Sequence, residues 1–383
     1  MTFLRTKLRI FSGTGLVVPG ALILLLCLLA VLAGCGKFFV DNNGSSGGNG
    51  STGIPKFAYT ADFNGGAAGT VSAYGVNSTS GVLTGVSGGP FAAGNGPLAL
   101  ASDSAGKFVF VANQGGSISA FQINRNSGAL AAVAGSPFAG GTTPAGITVS
   151  SNGTLVYAAN RGSGDVSGWS VNTSSGVLTS VGTAVATSGV PGTLVIDSTA
   201  RFLYVTMGSA GTQVFQIGSD GRLTSLRTVP PSPCAGAAGV ATDGNSRFVF
   251  VADGTSAVCT YAINPSNGDL LLITTAAVTA GTSPVFAAVS PDNAHLYVTN
   301  LGSKNVSAYT INADGSLSPV SGSPFSAGNS PSSVSVDPSG KFAYVTNFGD
   351  GTISTYTIGS NGALTSAGVT AAGVGPNEIV ITQ

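Results

Sequence analysis

Two stretches of the chain, Tyr297–Asn300 and Tyr344–Asn347, both read Tyr-Val-Thr-Asn and lie 47 residues apart. Each ends a longer pattern, in which an anchor residue begins an alternating apolar run that finishes in Asn or Asp. Val111–Asn113 and Ala158–Asn160 finish two further copies. The anchor recurs seven times, at intervals of 46 to 51 residues: Phe57, Phe108, Leu155, Phe202, Phe248, His295 and Phe342. A period of this length predicts a repeat architecture.

Each repeat contains four segments with the length and β-branched content of strands, here called strands a, b, c and d. Strand a follows a proline, as in Pro144–Val149, and a turn such as Asp337–Gly340 leads into the anchored strand b. Strand d follows a second turn, such as Asn312–Gly315. Strand c carries one aromatic residue per repeat: Tyr74, Phe121, Trp169, Phe215, Tyr261, Tyr309 and Tyr356. Four strands in about 47 residues are typical of a propeller blade.

The two ends of the repeat region give an independent count of the blades. Anchor Phe57 has no strand a before it, because a Gly/Ser-rich segment precedes Ile54. Pro376–Ile381 reads as a strand a with no strand b after it. We therefore predict an all-β fold over residues 54–383. It is a seven-bladed β-propeller of four-stranded antiparallel blades, closed by pairing of the C-terminal strand with the first blade, so that no inner edge is left exposed.

The first 53 residues predict export and attachment to a membrane. Basic residues precede the short apolar run 21–32, which is the pattern of a signal peptide. The run ends in Leu-Ala-Gly-Cys at Cys35, which resembles the bacterial lipobox. The alternative is an uncleaved signal anchor, but the run is short for a membrane-spanning helix. We expect a signal peptide at 1–34, a lipidated Cys35 with a linker at 35–53, and an extracytoplasmic protein, periplasmic or at the cell surface.

The period, the strand exchange and the Tyr-Val-Thr-Asn signature resemble the lactonase-type seven-bladed propellers, whose namesake hydrolyses 6-phosphogluconolactone. They equally resemble the Tyr-Val-Thr-Asn propellers of microbial surface proteins. In the enzyme-like members, Arg-His often follows the proline of strand a, and strand b often ends in Asn-Glu. Here no Arg-His pair follows these prolines, and the residues after the Asn of strand b are Gln114, Arg161, Leu301 and Phe348. The resemblance therefore implies the fold more firmly than the activity.

Composition excludes several classes of function. Only 7% of the residues are charged and the formal net charge is zero, which argues against a nucleic-acid partner. The one histidine, His295, stands at an anchor position, where we interpret it as a packing residue. A multi-histidine metal site is thereby excluded, and a Ser-His-Asp triad is disfavoured. We expect neither a metal nor a cofactor.

Candidate binding residues lie where the strands b end. The b–c and d–a connections of a propeller emerge on one face, the face that usually binds ligands. This ring is polar in six blades, with Met207 in the seventh, and Asp165 and Asp350 stand close to it in the sequence. The six polar members are Asp62, Asn113, Asn160, Asp253, Asn300 and Asn347. They predict a polar funnel for a neutral or sugar-like ligand, or alternatively side chains that cap the b–c turn in each blade.

Positions that do not repeat carry more information about chemistry. Arg161 and Lys304 fall in b–c connections, Glu378 lies in the closing strand, and none of the three has an equivalent in the other blades. If the protein hydrolyses a lactone, Glu378 would act as general base and Arg161 or Lys304 would stabilise the developing anion.

The remaining cysteines form a separate pair. Cys234 precedes strand a of the fifth blade and Cys259 opens its strand c, so both are expected near the same face. An extracytoplasmic location favours a disulfide between them, and two buried thiols are the alternative.

Taken together, these features predict a monomeric cell-envelope lipoprotein. Its funnel face would serve as a binding or scaffold module for a glycan, a small molecule or a protein, and the lipid would make the membrane a further partner. The alternative is a lactone hydrolase of the 6-phosphogluconolactonase type. Its phosphorylated substrate is cytoplasmic, and a dianionic phosphate would need more than two cations in the funnel.

Overall fold

The computed structural model describes residues 56–273 and 277–382. The predicted signal peptide, the predicted lipidation site at Cys35 and the predicted linker lie outside these residues. The described chain is almost entirely β, with two short 3-10 segments, Asn64–Gly66 and Gly208–Ala210. In these two ranges no helix is long and apolar enough to cross a membrane.

The strands form seven antiparallel sheets, one per blade. Blade 1 holds β1 (Lys56–Asp62), β2 (Ala68–Val76), β3 (Leu83–Gly85) and β4 (Phe91–Asn95). Blade 2 holds β5 (Pro97–Ser102), β6 (Phe108–Asn113), β7 (Ser117–Ile123), β8 (Leu130–Ala132) and β9 (Phe138–Ala139). Blade 3 holds β10 (Pro144–Val149), β11 (Leu155–Asn160), β12 (Asp165–Val171), β13 (Leu178–Ser180) and β14 (Val185–Ala186). Blade 4 holds β15 (Leu194–Ile196), β16 (Phe202–Thr206), β17 (Thr212–Ile217) and β18 (Leu223–Val229).

The last three blades follow the same order. Blade 5 holds β19 (Gly239–Thr242), β20 (Phe248–Ala252), β21 (Ala257–Ile263), β22 (Leu270–Leu272) and β23 (Val278–Thr279). Blade 6 holds β24 (Pro284–Val289), β25 (His295–Asn300), β26 (Asn305–Ile311), β27 (Leu317–Pro319) and β28 (Phe325–Ser326). Blade 7 holds β29 (Pro331–Val336), β30 (Phe342–Asn347), β31 (Thr352–Ile358) and β32 (Leu364–Ala371), and the last strand is β33 (Pro376–Ile381).

The ring closes as the sequence predicts. β33 pairs antiparallel with β1 and supplies the missing strand a of blade 1, with Tyr59 opposite Val380 and Thr60 opposite Ile379. The seven strands a (β5, β10, β15, β19, β24, β29 and β33) contact one another in turn and form a closed inner ring. The prediction of a seven-bladed all-β propeller with this closure is confirmed.

One element was not predicted. In five blades a short additional strand pairs with strand c beyond strand d: β4, β9, β14, β23 and β28. In blades 4 and 7 a single longer strand, β18 or β32, spans both places with a register shift. Four of the five additional strands have only two residues, too few to give a recognisable alternation in the sequence.

The anchor residues pack one blade against the next. A glycine in the c–d turn of the following blade lies directly on each anchor, and a Cβ on Gly268 would come within 2.3 Å of the Phe202 ring. The carbonyl of the same glycine accepts a hydrogen bond of 3.2 Å from the Tyr204 hydroxyl. Tyr59, Tyr157, Tyr297 and Tyr344 donate to equivalent glycines. A close glycine and a buried aromatic pair therefore recur around the ring.

The same contact accounts for the only histidine. His295 is 8% exposed and stands at the anchor of blade 6. A Cβ on Gly362, in the c–d turn of blade 7, would lie 2.1 Å from its Cδ2. His295 therefore packs between blades, as interpreted from the sequence.

Candidate functional site

A central cavity of about 810 Å³ lies inside the inner ring. Its walls are made by strands a of the blades and by residues of the b–c and d–a connections, among them Gly189, Arg161 and Leu301. The volume is in the range of small-molecule sites in proteins. The cavity therefore reaches the b–c face, on which the sequence placed the candidate ligand site.

Small side chains on the inner ring leave this space open. One register position of strand a, the one opposite the penultimate residue of strand b, holds Ala99, Gly146, Thr193, Gly239, Phe286, Ser333 and Glu378. Gly146 is glycine because a Cβ there would lie 2.6 Å from the carbonyl oxygen of Gly192 in the next blade. Phe286 and Glu378 are the two large members. At this level of the cavity, the wall at blades 6 and 1 therefore carries large side chains and the wall at the other blades carries small ones.

Glu378 is the only acidic residue among those that line the cavity. Its Oε2 accepts a hydrogen bond of 3.1 Å from the backbone N–H of Leu100 in blade 2. Burial raises the pKa of Glu378 to about 8, and the Leu100 N–H offsets only part of this shift. The carboxyl group is therefore mostly protonated, and uncharged, at pH 7.

The contact made by Glu378 also has a structural role. Other side chains of the inner ring bond the backbone of the next strand a in the same way. Asn377 Nδ2 donates to Leu98 O at 2.5 Å, and Thr193 Oγ1 donates to Ala238 O at 2.9 Å. Glu378 therefore helps to hold the closing strand β33 against blade 2, besides presenting its carboxyl group to the cavity.

The two candidate cations are placed differently. Arg161, in the b–c connection of blade 3, lines the cavity together with Glu378. Lys304, in the b–c connection of blade 6, is exposed and does not line it. Its charge acts instead on Asp350, helping the Asn329 hydrogen bonds, the larger cause, to lower the pKa of that carboxyl. Glu378 and Arg161 therefore line the same cavity, and Lys304 does not.

The asparagines at the ends of the strands b are buried within their own blades. Each Nδ2 donates to a serine hydroxyl of strand c at 2.9 Å, for example Asn300 to Ser307. Asn113, Asn160 and Asn347 repeat this bond with Ser119, Ser167 and Ser354. A glycine of the d–a connection covers each amide, and a Cβ on Gly281 would lie 2.7 Å from Asn300 Cγ. None of the four lines the cavity, and their contacts are those expected of side chains that join strand b to strand c.

The two aspartates of this ring also bond locally. Asp62 accepts hydrogen bonds from the hydroxyls of Thr60, Thr70 and Ser72, yet burial outweighs these bonds and raises its pKa. For Asp253 burial alone would raise the pKa. Hydrogen bonds from Thr255 and from the N–H groups of the b–c turn reverse that effect and lower it. Neither carboxylate reaches the cavity.

The neighbouring aspartates are likewise engaged outside the cavity. Asp350 accepts hydrogen bonds from the backbone N–H and the side-chain amide of Asn329, at 2.6 and 2.5 Å. Asp165 accepts one of 2.6 Å from Asn160. In the described ranges no three His, Cys, Asp or Glu side chains come close enough to hold a metal ion.

Cys234 and Cys259 form a disulfide, with their Cα atoms 6.1 Å apart. Cys234 lies in the connection into blade 5, and Cys259 in β21 of that blade. Three residues after Cys234, the backbone of Ala237 exchanges two hydrogen bonds of 2.9 Å with Gly208. Both Ala237 and Gly208 line the cavity. The disulfide therefore holds a segment of the cavity wall.

Sequence reasoning did not identify the apolar part of the cavity wall. Val190, Met207, Phe286 and Leu301 all line it. Leu301 occupies the position that is Arg161 in blade 3 and Gln114 in blade 2, so its departure from the polar residues of those blades was a visible signal. Val190 lies in a connection of irregular length, where the repeat gives no register from which its position could be inferred.

A family model described as "Lactonase, 7-bladed beta-propeller" matches residues 130–235 and 251–380. No curated protein matches the sequence. Among solved structures, a candidate 6-phosphogluconolactonase from Bacteroides fragilis is 18% identical, with a TM-score of 0.73, covering 88% of this chain and 100% of its own. The periplasmic gluconolactonase of Pseudomonas aeruginosa is 18% identical, with a TM-score of 0.72, covering 86% of this chain and 99% of its own. At these identities the two structures establish the fold that this chain shares with them.

Proposed function

Because the chain belongs to the lactonase family of seven-bladed β-propellers, we propose that its central cavity binds a small, uncharged molecule of the lactone or sugar class. The observation that carries this proposal is the composition of the cavity wall. Hydroxyl, amide and backbone groups line part of it beside apolar side chains, together with one acidic residue that is mostly uncharged at pH 7 and one arginine. Such a wall offers hydrogen bonds and little net charge, which suits a neutral ligand.

The same wall disfavours a phosphorylated ligand. A phosphate dianion is usually held by several cations or by a cradle of backbone N–H groups. Among the cavity-lining residues only Arg161 is basic. Burying a dianion beside a single exposed arginine would leave much of its charge unpaired.

The binding proposal is tested with the full chain in phospholipid nanodiscs. Glucono-1,5-lactone, glucose and 6-phosphogluconate are titrated calorimetrically, with empty nanodiscs as the reference. We expect saturable binding of at least one neutral compound and weaker binding of the phosphorylated one. A Thr193→Val variant removes a hydroxyl from the wall while keeping its shape, and it should weaken that binding about fivefold. Binding of 6-phosphogluconate alone would contradict the proposal.

Hydrolysis of the bound lactone is a second candidate, favoured by the position of Glu378. An ionised Glu378 would take a proton from water as the water oxygen attacks the lactone carbonyl. Arg161 would stabilise the resulting oxyanion, and the ring C–O bond would then break, with a proton returned to the leaving oxygen, to give a hydroxy acid. A carboxyl group with a pKa of about 8 is a stronger base than an ordinary one, and it becomes available as the pH rises.

The two candidates are separated by one variant. Glu378→Gln keeps an oxygen that can accept the Leu100 N–H bond but cannot act as a base. If the protein is a hydrolase, the ring-opening rate of the wild type should rise with pH through about 8, and the variant should lose at least about a hundredfold in kcat. If the protein only binds its ligand, both forms should bind with similar affinity and neither should open the ring faster than buffer.

The proposal also includes the attachment of the propeller outside the cytoplasm by a lipid on Cys35. Its support is the signal-like N-terminus, the Leu-Ala-Gly-Cys sequence and the Gly/Ser-rich linker. In a bacterial host, the wild type should incorporate labelled palmitate and sediment with membranes. A Cys35→Ala variant should incorporate none. Equal labelling of the two forms would contradict this part of the proposal, and sedimentation as a monomer after delipidation would support the expected oligomeric state.

A further inference from the structure

The mouth of the cavity exposes large apolar side chains. Val190 is 61% exposed and Leu301 is 39% exposed, and both line the cavity. Val190 lies in the connection into blade 4 and Leu301 in the b–c connection of blade 6, so both stand at the b–c end. Single exposed apolar residues are common on protein surfaces. Two that line the same cavity are a different observation, because they place apolar surface where a ligand would enter.

The apolar surface continues inward from this mouth. Met207 follows β16, and Phe286 projects from β24 at the same register position as Glu378. Both line the cavity with Val190 and Leu301. Four apolar residues therefore line the cavity between its mouth and the inner ring, Val190 and Met207 at blade 4 and Phe286 and Leu301 in blade 6.

The apolar surface also extends along the rim of the b–c face. The residue that follows the last position of strand b is Leu301 in blade 6, Phe348 in blade 7 and Phe63 in blade 1. The rings of Phe63 and Phe348 lie 6.1 Å apart, and Phe348 is 37% exposed. The same position is polar in the next two blades, where it holds Gln114 and Arg161. At this position the rim is therefore apolar in blades 6, 7 and 1, polar in blades 2 and 3, and glycine in blades 4 and 5.

We propose that the ligand is an uncharged lactone that carries an apolar substituent, such as an alkyl chain, rather than a polyhydroxylated sugar lactone. This inference rests on the proposed function of the cavity. The lactone ring would lie by Glu378 on the inner ring, and the substituent would extend along Phe286 towards Leu301 at the mouth. Covering apolar surface on both partners stabilises the complex by an amount that grows with chain length.

The test is a series of γ-lactones with side chains of increasing length, from γ-butyrolactone through γ-hexalactone and γ-octalactone to γ-decalactone. Glucono-1,5-lactone is the polar reference. The Kd of each is measured by calorimetry on the full chain in nanodiscs, after correction for uptake by empty nanodiscs. We expect the Kd to fall about twofold to fourfold with each added methylene until the chain leaves the cavity. Glucono-1,5-lactone should bind more weakly than γ-octalactone.

A matched pair of variants assigns the effect to the mouth. Leu301→Gln replaces an exposed apolar residue that lines the cavity. Val369→Gln does the same in β32, where Val369 is 65% exposed and does not line the cavity. Because both positions are exposed, neither change should affect folding. Leu301→Gln should weaken γ-octalactone binding about threefold to tenfold and leave γ-butyrolactone unchanged, while Val369→Gln should change neither.

The outcomes also distinguish this inference from the function on which it rests. If no lactone and no sugar binds, the proposed function fails and the inference fails with it. If glucono-1,5-lactone binds at least as tightly as γ-octalactone, or if chain length has the same effect in both variants, only the inference is overturned. Chain-length dependence that is lost in Leu301→Gln and kept in Val369→Gln supports it.

Discussion

The outer contacts between blades and the inner ring of strands a differ in how far they repeat. Between blades, five tyrosines donate to five glycine carbonyls in equivalent positions, and every anchor packs on a close glycine. On the inner ring, one register position holds residues as unlike as Ala99, Phe286 and Glu378. Repetition thus marks what every blade needs for packing. The individual residues of the inner ring and its rim are the ones available for recognising a ligand.

This difference also bears on the polar ring at the ends of the strands b. The asparagines repeat in four blades, and each makes the same bond to a serine of strand c. By the same reasoning their regularity indicates a role within the blade. Arg161 and Leu301, which immediately follow two of them, do not repeat and do line the cavity.

The largest loss of stability is expected at a contact that repeats between blades, the one between a glycine and an anchor residue. Gly268 has φ of 74°, and a Cβ there would meet the Phe202 ring at 2.3 Å. Gly268→Ala should therefore lower the free energy of unfolding by about 4 kcal/mol, through backbone strain and overpacking together. Gly65→Ala is the control, because Gly65 has φ of 66° but nothing within 4 Å of the added Cβ. It should cost about 1 kcal/mol in urea unfolding, and equal costs for the two variants would show that the anchor contact is unimportant.

A comparable loss of stability is expected on removing the disulfide, a cross-link that does not repeat from blade to blade. The disulfide closes a loop across 25 residues of sequence, so replacing both Cys234 and Cys259 by Ala should lower the free energy of unfolding by about 3 kcal/mol. Because Cys234 holds the segment that includes Ala237, ligand binding in the cavity should weaken as well. Unfolding of the wild type with and without reductant is the control. An unchanged midpoint under reduction would argue against the bond.

A smaller loss is expected from one hydroxyl at the outer contact. Tyr204→Phe removes the donor to the Gly268 carbonyl and leaves the ring in place, which should cost about 1 kcal/mol of unfolding free energy. Blades 2 and 5 already have phenylalanine at this register position, Phe110 and Phe250. The variant should thus fold normally and bind ligands as the wild type does. A change in ligand affinity would contradict the assignment of stability to the contacts between blades and of ligand recognition to the inner ring.

The effect expected at Glu378 should depend on pH. Its pKa is raised from 4.5 to about 8 on folding, so the folded chain keeps a proton that the unfolded chain loses. The stability conferred by this proton is complete below pH 4.5 and is lost as the pH rises to about 8. In Glu378→Gln this decline should be absent, so the unfolding free energy of the wild type relative to the variant should fall as the pH rises from 5 to 9. Parallel pH profiles would show that the carboxyl group is not shielded from solvent.

Most of the fold could be predicted because it repeats. Seven anchors, seven aromatic residues in strand c and two incomplete ends sufficed to give the number of blades and the join between β33 and β1. Copies that share a register reinforce one another, so a weak copy such as the one anchored by His295 is still recognised. Four of the five additional outer strands were missed because segments of two residues, as in β9 and β14, show no alternation.

The site could be predicted only in part, for a geometric reason. The sequence indicates at which end of a strand a residue lies, and that placed Arg161 and the asparagines on the correct face. It does not indicate whether a side chain at the strand end turns into its own blade, as Asn300 does, or towards the axis. Glu378 was identified because it has no equivalent in other blades. Phe286 and Val190 have none either, but apolar residues in a propeller are expected in the core and gave no signal.

The closure of the ring has a consequence for the order of events during synthesis. The backbone of Phe57 bonds to the side chain of Thr382, 325 positions later in the chain. The inner strand of blade 1, β33, is therefore synthesised after the other six blades. The same strand contains Glu378. A nascent or truncated chain that lacks β33 has an open ring and an incomplete cavity wall. If the cavity binds the proposed ligand, only a chain translated through β33 would bind it with a complete cavity wall.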